Sequence, residues 1–161
     1  MADYPEAWFS TLGEPLGDAE RSEIRAYLDG LGVTAPQPAL LVRSWGQAEN
    51  LTRNPVGTWW DAEESERVRL EKLARLDPSD REWLATTETL HGAAAVAAAR
   101  SGVADPGLIR VAAGAATYSA YQFRLARAAG APLSHPFMRK YALFCGGRWP
   151  LGVYGGRFAI F

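Results

Sequence analysis

The segment ETLH sets Glu88 and His91 three residues apart, a spacing that puts both side chains on one face of a helix. Histidine titrates near neutrality, and a carboxylate one turn away can orient it, so the pair has the make-up of a metal-free acid–base site. Tyr118 and Tyr121 repeat the spacing and, with Arg124, are suited to hold a polar substrate beside that pair. Trp83 and Tyr118, set against alanines, would border a small apolar pocket. The same residues also fit a plainer role, in which His91 is a hydrogen-bonded boundary residue and the tyrosines belong to a core. Metal chemistry is poorly served. A dinuclear carboxylate bundle needs two Glu-x-x-His motifs and two further glutamates, whereas this chain has one such motif and two histidines in all. Glu88, His91 and His135 together would offer zinc three ligands but have no spacing signature. Cys145 sits near the end of an expected helix, where the dipole opposes a thiolate. No G-x-S-x-G elbow, phosphate-binding loop or dinucleotide fingerprint is present. No metal and no cofactor is expected.

A second constellation points to recognition. Six tryptophans (Trp8, Trp45, Trp59, Trp60, Trp83 and Trp149) fall mostly near the ends of expected elements. Tryptophan is favoured at the energetic centres of protein interfaces. Trp59 and Trp60 are followed directly by Asp61, Glu63 and Glu64, so aromatic anchors ringed by carboxylates would match a basic partner, as an inhibitor of a nuclease requires. The competing explanation is that the tryptophans close the ends of a helical bundle.

Composition bounds both readings. The chain has 161 residues, 48% hydrophobic and 22% charged, a globular composition with enough length for one well-buried core. A single cysteine rules out an internal disulfide framework and agrees with a reducing compartment. The first residues, MADYPEAWFSTLGEP, lack the basic start and apolar stretch of a signal peptide, and GAAAVAAA at 92–99 is too short to span a membrane. A cytoplasmic location follows as the expectation. The net charge of −1 is unevenly spread: residues 1–30 carry seven acids against two arginines, and residues 101–161 carry seven bases against Asp105 alone. The simplest meaning is that the two ends of the chain attract each other. The bases Arg110, Arg124, Arg127, Arg139, Lys140, Arg148 and Arg157 are dispersed, without a nucleic-acid-binding motif.

These residues must be positioned by helices. Asp18 opens AERSEIRAYLDGLG, with Ile24, Tyr27, Leu28 and Leu31 on one face and Gly30 or Gly32 as terminator. A second helix is expected over ALLVRSWGQAENL, followed by an NPVG turn at 54–57. Thr58 is placed to cap the third, TWWDAEESERVRLEKLARL, with Glu63–Arg67 and Glu71–Arg75 as i,i+4 pairs of ~0.2–0.5 kcal/mol each. Ser79 and Glu82 form a capping box for a fourth helix at about 80–101, amphipathic at Trp83, Leu84 and Leu90 and then alanine-rich. Asp105-Pro106 starts a fifth, about 106–129, expected to lie antiparallel to the fourth through small residues. Ser134 opens a sixth through FMRKYALFC, ended by Gly146. RWPLGVY and RFAIF then flank Gly155-Gly156, which suits a two-residue hairpin turn, with Leu151, Val153, Phe158 and Ile160 sharing one face. Because an isolated hairpin is marginal, this one must dock on the helices.

The GRWPLG and GGRFAIF segments resemble the C-terminal ends of small bacterial helical proteins, some of them immunity proteins that neutralise a partner toxin. Arg148 stands where that pattern has histidine. The sequence thus predicts a mainly α single domain of five or six helices with a hairpin at about 148–161. The leading functional expectation is a non-enzymatic protein-binding module, an immunity-type toxin inhibitor, without nucleic-acid or membrane partners. The alternative is a small all-α enzyme of specialised metabolism using His91 and Glu88 with Tyr118 and Tyr121. A third is a homodimer meeting through its AAAVAAA faces.

Overall fold

A computed structural model describes residues 5–35, 37–53 and 57–161, apart from the side chains of Pro5 and Leu84. The chain folds as a mainly helical single domain with a small sheet. Among the described residues, a 3₁₀ turn at Pro5–Ala7 precedes seven α-helices: α1 (Asp18–Leu31), α2 (Trp45–Thr52), α3 (Gly57–Leu73), α4 (Pro78–Ala85), α5 (Thr87–Arg100), α6 (Pro106–Ala128) and α7 (Pro136–Cys145). No described helix is long and apolar enough to cross a membrane.

Several helix ends follow from local chemistry, and several differ from the expectation. Gly32 closes α1 at φ 67°, a conformation that glycine adopts without a steric penalty. Asp105 caps α6 by accepting the Leu108 amide at 2.7 Å, with Pro106 in the first turn. Asp18 lies inside α1, and the carboxylate of Glu20 accepts the Gly17 amide at 2.7 Å. Thr58 is the second residue of α3 rather than its cap; the preceding Asn54, Pro55 and Val56 of the expected turn lie outside the described residues. Asp77 and Asp80, not Ser79 and Glu82, cap α4 reciprocally, each carboxylate accepting the other's amide. The expected fourth helix is two helices, broken at Thr86. His135 rather than Ser134 caps α7, its Nδ1 accepting the Phe137 amide at 3.1 Å.

The sheet is larger than a hairpin. Strands β2 (Pro150–Tyr154) and β3 (Arg157–Ile160) pair antiparallel around Gly155 and Gly156, both at positive φ. A two-residue strand, β1 (Leu40–Leu41), pairs parallel on the other edge, giving the order β1-β3-β2. Helix was the expectation for Leu40 and Leu41; α2 starts only at Trp45, after Ser44 caps it. Thus β3 is central. Phe158 and Ile160 pack into one cluster with Ile24, Tyr27, Leu28 and Leu143, whereas Ala159 and Phe161 pack into the main core. Burial on both faces explains why RFAIF is a nearly continuous apolar run. The four-residue face predicted for the hairpin is broken by a bulge: Pro150 faces Ile160 and Gly152 faces Ala159, so Leu151 is the extra residue. Leu151 joins the main core while Val153 stays with Phe158.

The main core is built around α5 and α6, which pack closely through Ala94, Ala98, Ala112, Ala113, Ala116 and Ala120, each at most 1% exposed. At its other end Phe9, Trp45, Trp149 and Phe161 interlock, with Trp45 5.3 Å from the Phe161 ring and 5.6 Å from that of Trp149. The charge asymmetry is used inside the fold. The buried Arg148 guanidinium donates to Thr11, Glu14 and Pro15 carbonyls and to Glu20, and Arg139 pairs with Glu23 at 2.8 Å. The basic C-terminal part therefore ties down the acidic N-terminal part.

Candidate functional site

The helix α3 presents two chemically different stripes, and α6 lies against both. Trp59, Glu63 and Leu70 follow helical spacing on the inward stripe; Trp60, Glu64, Arg67 and Glu71 follow it on the outward one.

On the inward side, Glu63 has no solvent exposure and Lys140 of α7 has 5%. Lys140 Nζ donates to Glu63 Oε1 at 2.7 Å and Oε2 at 2.9 Å, and to Gln122 Oε1 at 3.2 Å, so all three ammonium protons have acceptors. Glu63 also accepts from the Tyr27 hydroxyl at 2.5 Å and from Gln122 Nε2 at 3.4 Å. Trp59 Nε1 in turn donates to the Tyr27 oxygen at 2.7 Å. The ammonium lies 5.5 Å from the Trp59 ring centre and 6.0 Å from that of Tyr118, within cation–π range. Burial, then the charge of Glu63 and its hydrogen bond, push the Tyr27 hydroxyl well above the ordinary tyrosine range. This cluster joins α1, α3, α6 and α7 with its polar groups matched in sign, and it fixes how α3 is rotated. Gly152 completes the seat of Trp59: its φ is 120°, and a Cβ there would lie 2.7 Å from Trp59 Cε3.

The rotation so fixed turns the second stripe outward. Trp60 is 46% exposed and stacks on Tyr118 at 6.1 Å and 27°, and Tyr118 stacks on Tyr121 at 6.1 Å and 21°. The Tyr118 hydroxyl donates to Glu64 at 2.5 Å and the Tyr121 hydroxyl to Glu71 at 2.7 Å. Arg67 grips Glu64 through Nε at 3.1 Å and Nη2 at 2.9 Å, and its Nη1 bonds Glu71. The pairings expected from spacing are thereby exchanged: Arg67 serves Glu64 and Glu71, and Glu63 serves Lys140. The Arg67 and Tyr118 hydrogen bonds hold the Glu64 carboxyl below its ordinary range; those of Tyr121 and Arg67 do the same for Glu71. Burial and the facing carboxylates raise Tyr118 and Tyr121. At neutral pH the strip therefore holds two carboxylates, one guanidinium and two neutral phenols, an excess of one negative charge. Trp60, Tyr118 and Tyr121 line an open groove of about 370 Å³ with Glu64 and Arg67. Tyr121 and Glu71 also line the neighbouring hollow of about 260 Å³.

The residues singled out in the sequence are thus regrouped. Trp60, Glu64, Tyr118 and Tyr121, drawn from two rival readings, come together on one face, with exposed Asp61 on the same helix. Glu63 and Trp59 turn inward, so Glu63 cannot touch a partner. Glu88 is exposed and His91 half-buried on α5, and no hydrogen bond joins them among the described residues. Tyr118 and Tyr121 direct their hydroxyls to α3 instead. Arg124 lies over Trp83, 5.0 Å from its ring centre. His135 has both ring nitrogens engaged: Nδ1 accepts an amide proton, so the proton lies on Nε2, which donates to Glu66 at 2.7 Å. Among the described residues, no three of His, Cys, Asp and Glu converge in a way that could hold a metal ion.

The sequence reading pairs Arg67 with Glu63 and does not contain the Glu63–Lys140 network or the Arg67 bonds to Glu64 and Glu71, although helical phase marks both charges of the buried pair. Glu63 is four residues from Trp59 and seven from Leu70; Lys140 lies between Phe137 and Phe144 at helical spacing. Comparison with protein-family models, curated proteins and solved structures finds no match.

Proposed function

We propose that this chain is a non-enzymatic protein-binding module that grips a basic partner, in the manner of an immunity-type inhibitor of a bacterial toxin. Trp60 carries the reading. It is a large aromatic side chain, nearly half exposed, at the head of a stacked series whose other members are locked by Glu64, Arg67 and Glu71. Flat aromatic rings already held in place lose little conformational freedom on binding, which favours them as interface anchors. The excess negative charge on the strip, with Asp61 beside it, attracts lysine and arginine, whose cations also suit the faces of Trp60 and Tyr118. The phenols are poor acids and bases at neutral pH, because burial and the carboxylates hold their protons. The groove is shallow and open, which suits a protein surface better than a substrate that must be kept from water.

Capture from lysates of the source organism, with wild type, Trp60→Ala and His91→Ala as parallel baits, tests the reading. The expected result is one stoichiometric basic protein held by wild type and His91→Ala, lost with Trp60→Ala, and weakened by salt. Undiminished retention by a folded Trp60→Ala variant overturns it, as does a turnover activity that His91→Ala abolishes.

A further inference from the structure

The hydrogen bonds already made along the Trp60 strip determine which groups a partner still has to satisfy. Both phenol hydroxyls are committed, that of Tyr118 to Glu64 and that of Tyr121 to Glu71. Two donors are not. Trp60 Nε1 donates to no group among the described residues, and its ring is 46% exposed. Arg67 spends Nε and one proton each of Nη1 and Nη2 on Glu64 and Glu71. Two of the five N–H groups of its guanidinium therefore have no acceptor among the described residues. Both residues line the open groove.

Acceptors on the strip are nearly used up. Glu64 takes bonds on both oxygens, and Oε1 of Glu71 takes those of Tyr121 and Arg67. Oε2 of Glu71 has no donor among the described residues and stands at the Tyr121 end of the row. The groove thus offers N–H groups along its length and a carboxylate oxygen at one end.

Free donors call for carbonyls that are not already paired. Helices and strands spend their carbonyls on their own ladders. A polyproline II segment leaves every carbonyl unpaired, and its prolines bring no N–H that would need an acceptor from the groove. The aromatic row has the matching shape. Tyr118 meets Glu64 and Tyr121 meets Glu71, so the contacts advance along α3 and α6 in the same sense. Neighbouring ring centres are 6.1 Å apart, which makes the row up to about 12 Å long, a little over one polyproline II turn of three residues at 3.1 Å each. Aromatic-lined grooves hold such segments by ring packing, and the preset backbone keeps the entropic cost low.

We infer that the partner meets this strip with an extended proline-rich segment that carries a lysine or arginine at one end. Its prolines lie on Trp60, Tyr118 and Tyr121, its carbonyls accept from Trp60 Nε1 and Arg67, and the basic side chain pairs with Oε2 of Glu71. This inference rests on the reading of the Trp60 face as the partner surface and specifies the form of chain that the surface takes.

Isothermal titration calorimetry on the full chain tests it, with a blocked peptide of eight prolines followed by two arginines as probe. One control peptide replaces the prolines by glycines, and a second replaces the arginines by glutamates. The probe is expected to bind at one per chain below millimolar concentration. The glycine peptide should bind about tenfold or more weakly, because it must give up freedom that proline never had. The glutamate peptide should be weakened as well, since it meets the acidic strip with like charge. Trp60→Phe keeps a ring but removes the N–H and should cost about three- to tenfold in affinity. Trp60→Ala should remove binding; a melting curve confirms that each variant is folded. Absence of probe binding, equal affinity of either control peptide, or unchanged affinity in either folded variant overturns the inference. If the probe fails while a captured protein still depends on Trp60, the proline-rich segment is refuted and the partner surface stands.

Discussion

Replacing Glu63 by glutamine keeps the shape of the side chain and removes its charge. Lys140 would then hold an ammonium only 5% exposed, facing two neutral amides. Leaving one member of a buried ion pair without its partner costs roughly 3–5 kcal/mol. For a chain of this size each kcal/mol lowers the melting temperature by roughly 2–4 °C, so a fall of about 6–20 °C is expected. Lys140→Met should cost a comparable amount, because Glu63 then keeps only Tyr27 and Gln122 as donors. The double variant should recover most of the loss, since the glutamine side-chain carbonyl can still accept from Tyr27 and no buried charge remains. The assay is a double-mutant cycle by thermal and denaturant unfolding, followed by far-UV circular dichroism. Two results would refute the reasoning: a shift of less than about 1 kcal/mol for Glu63→Gln, or simple addition of the two single effects in the double variant.

Three further outcomes follow from the geometry. Gly152→Ala places a Cβ against the Trp59 ring at a positive φ, so it should destabilise by about 1–3 kcal/mol and change the near-UV tryptophan signal; an unchanged spectrum would contradict the seat described for Trp59. Arg148→Ala leaves the carbonyls of Thr11, Glu14 and Pro15 without their donor, so limited proteolysis should cut first between residues 10 and 17, with Arg148→Lys partly protected. Glu64, Glu66, Glu71 and Glu20 are all held below the ordinary carboxylate value of 4.5; in Glu20 the Arg148 and Gly17 hydrogen bonds outweigh the effect of burial. The unfolded chain then takes up protons at a pH where the folded one does not. Stability should therefore be full above about pH 5 and fall as pH drops below 4.5 through the lower folded values. Melting curves across that range should show a smaller dependence in Arg67→Gln.

Helix α6 and the Gly155-Gly156 turn were legible because their signals are local: an Asp-Pro start, a 3.6-residue rhythm, and two glycines where two positive φ angles are needed. Strand β1 was not legible, since two leucines have no period of their own and pair with Ala159 and Ile160 far along the chain. The bulge at Leu151 escaped for a related reason. Alternation predicts one face, but the shift depends on which cluster each residue meets. For the site, the sequence marked Trp60, Glu64, Tyr118 and Tyr121 without bringing them together, because their grouping depends on how α3 is rotated against α6. The Glu63–Lys140 pair sets that rotation across 77 residues of chain. Reading both charges as members of apolar stripes would have turned Glu63 inward from the start.

Oxidative footprinting of the chain with and without its captured partner tests the main functional claim most directly. The account predicts reduced labelling of Trp60, Tyr118 and Tyr121 in the complex, with Val96 and the surroundings of His91 on α5 unchanged. Equal labelling of the three aromatic residues in the free and bound states, or protection centred on His91, would contradict it.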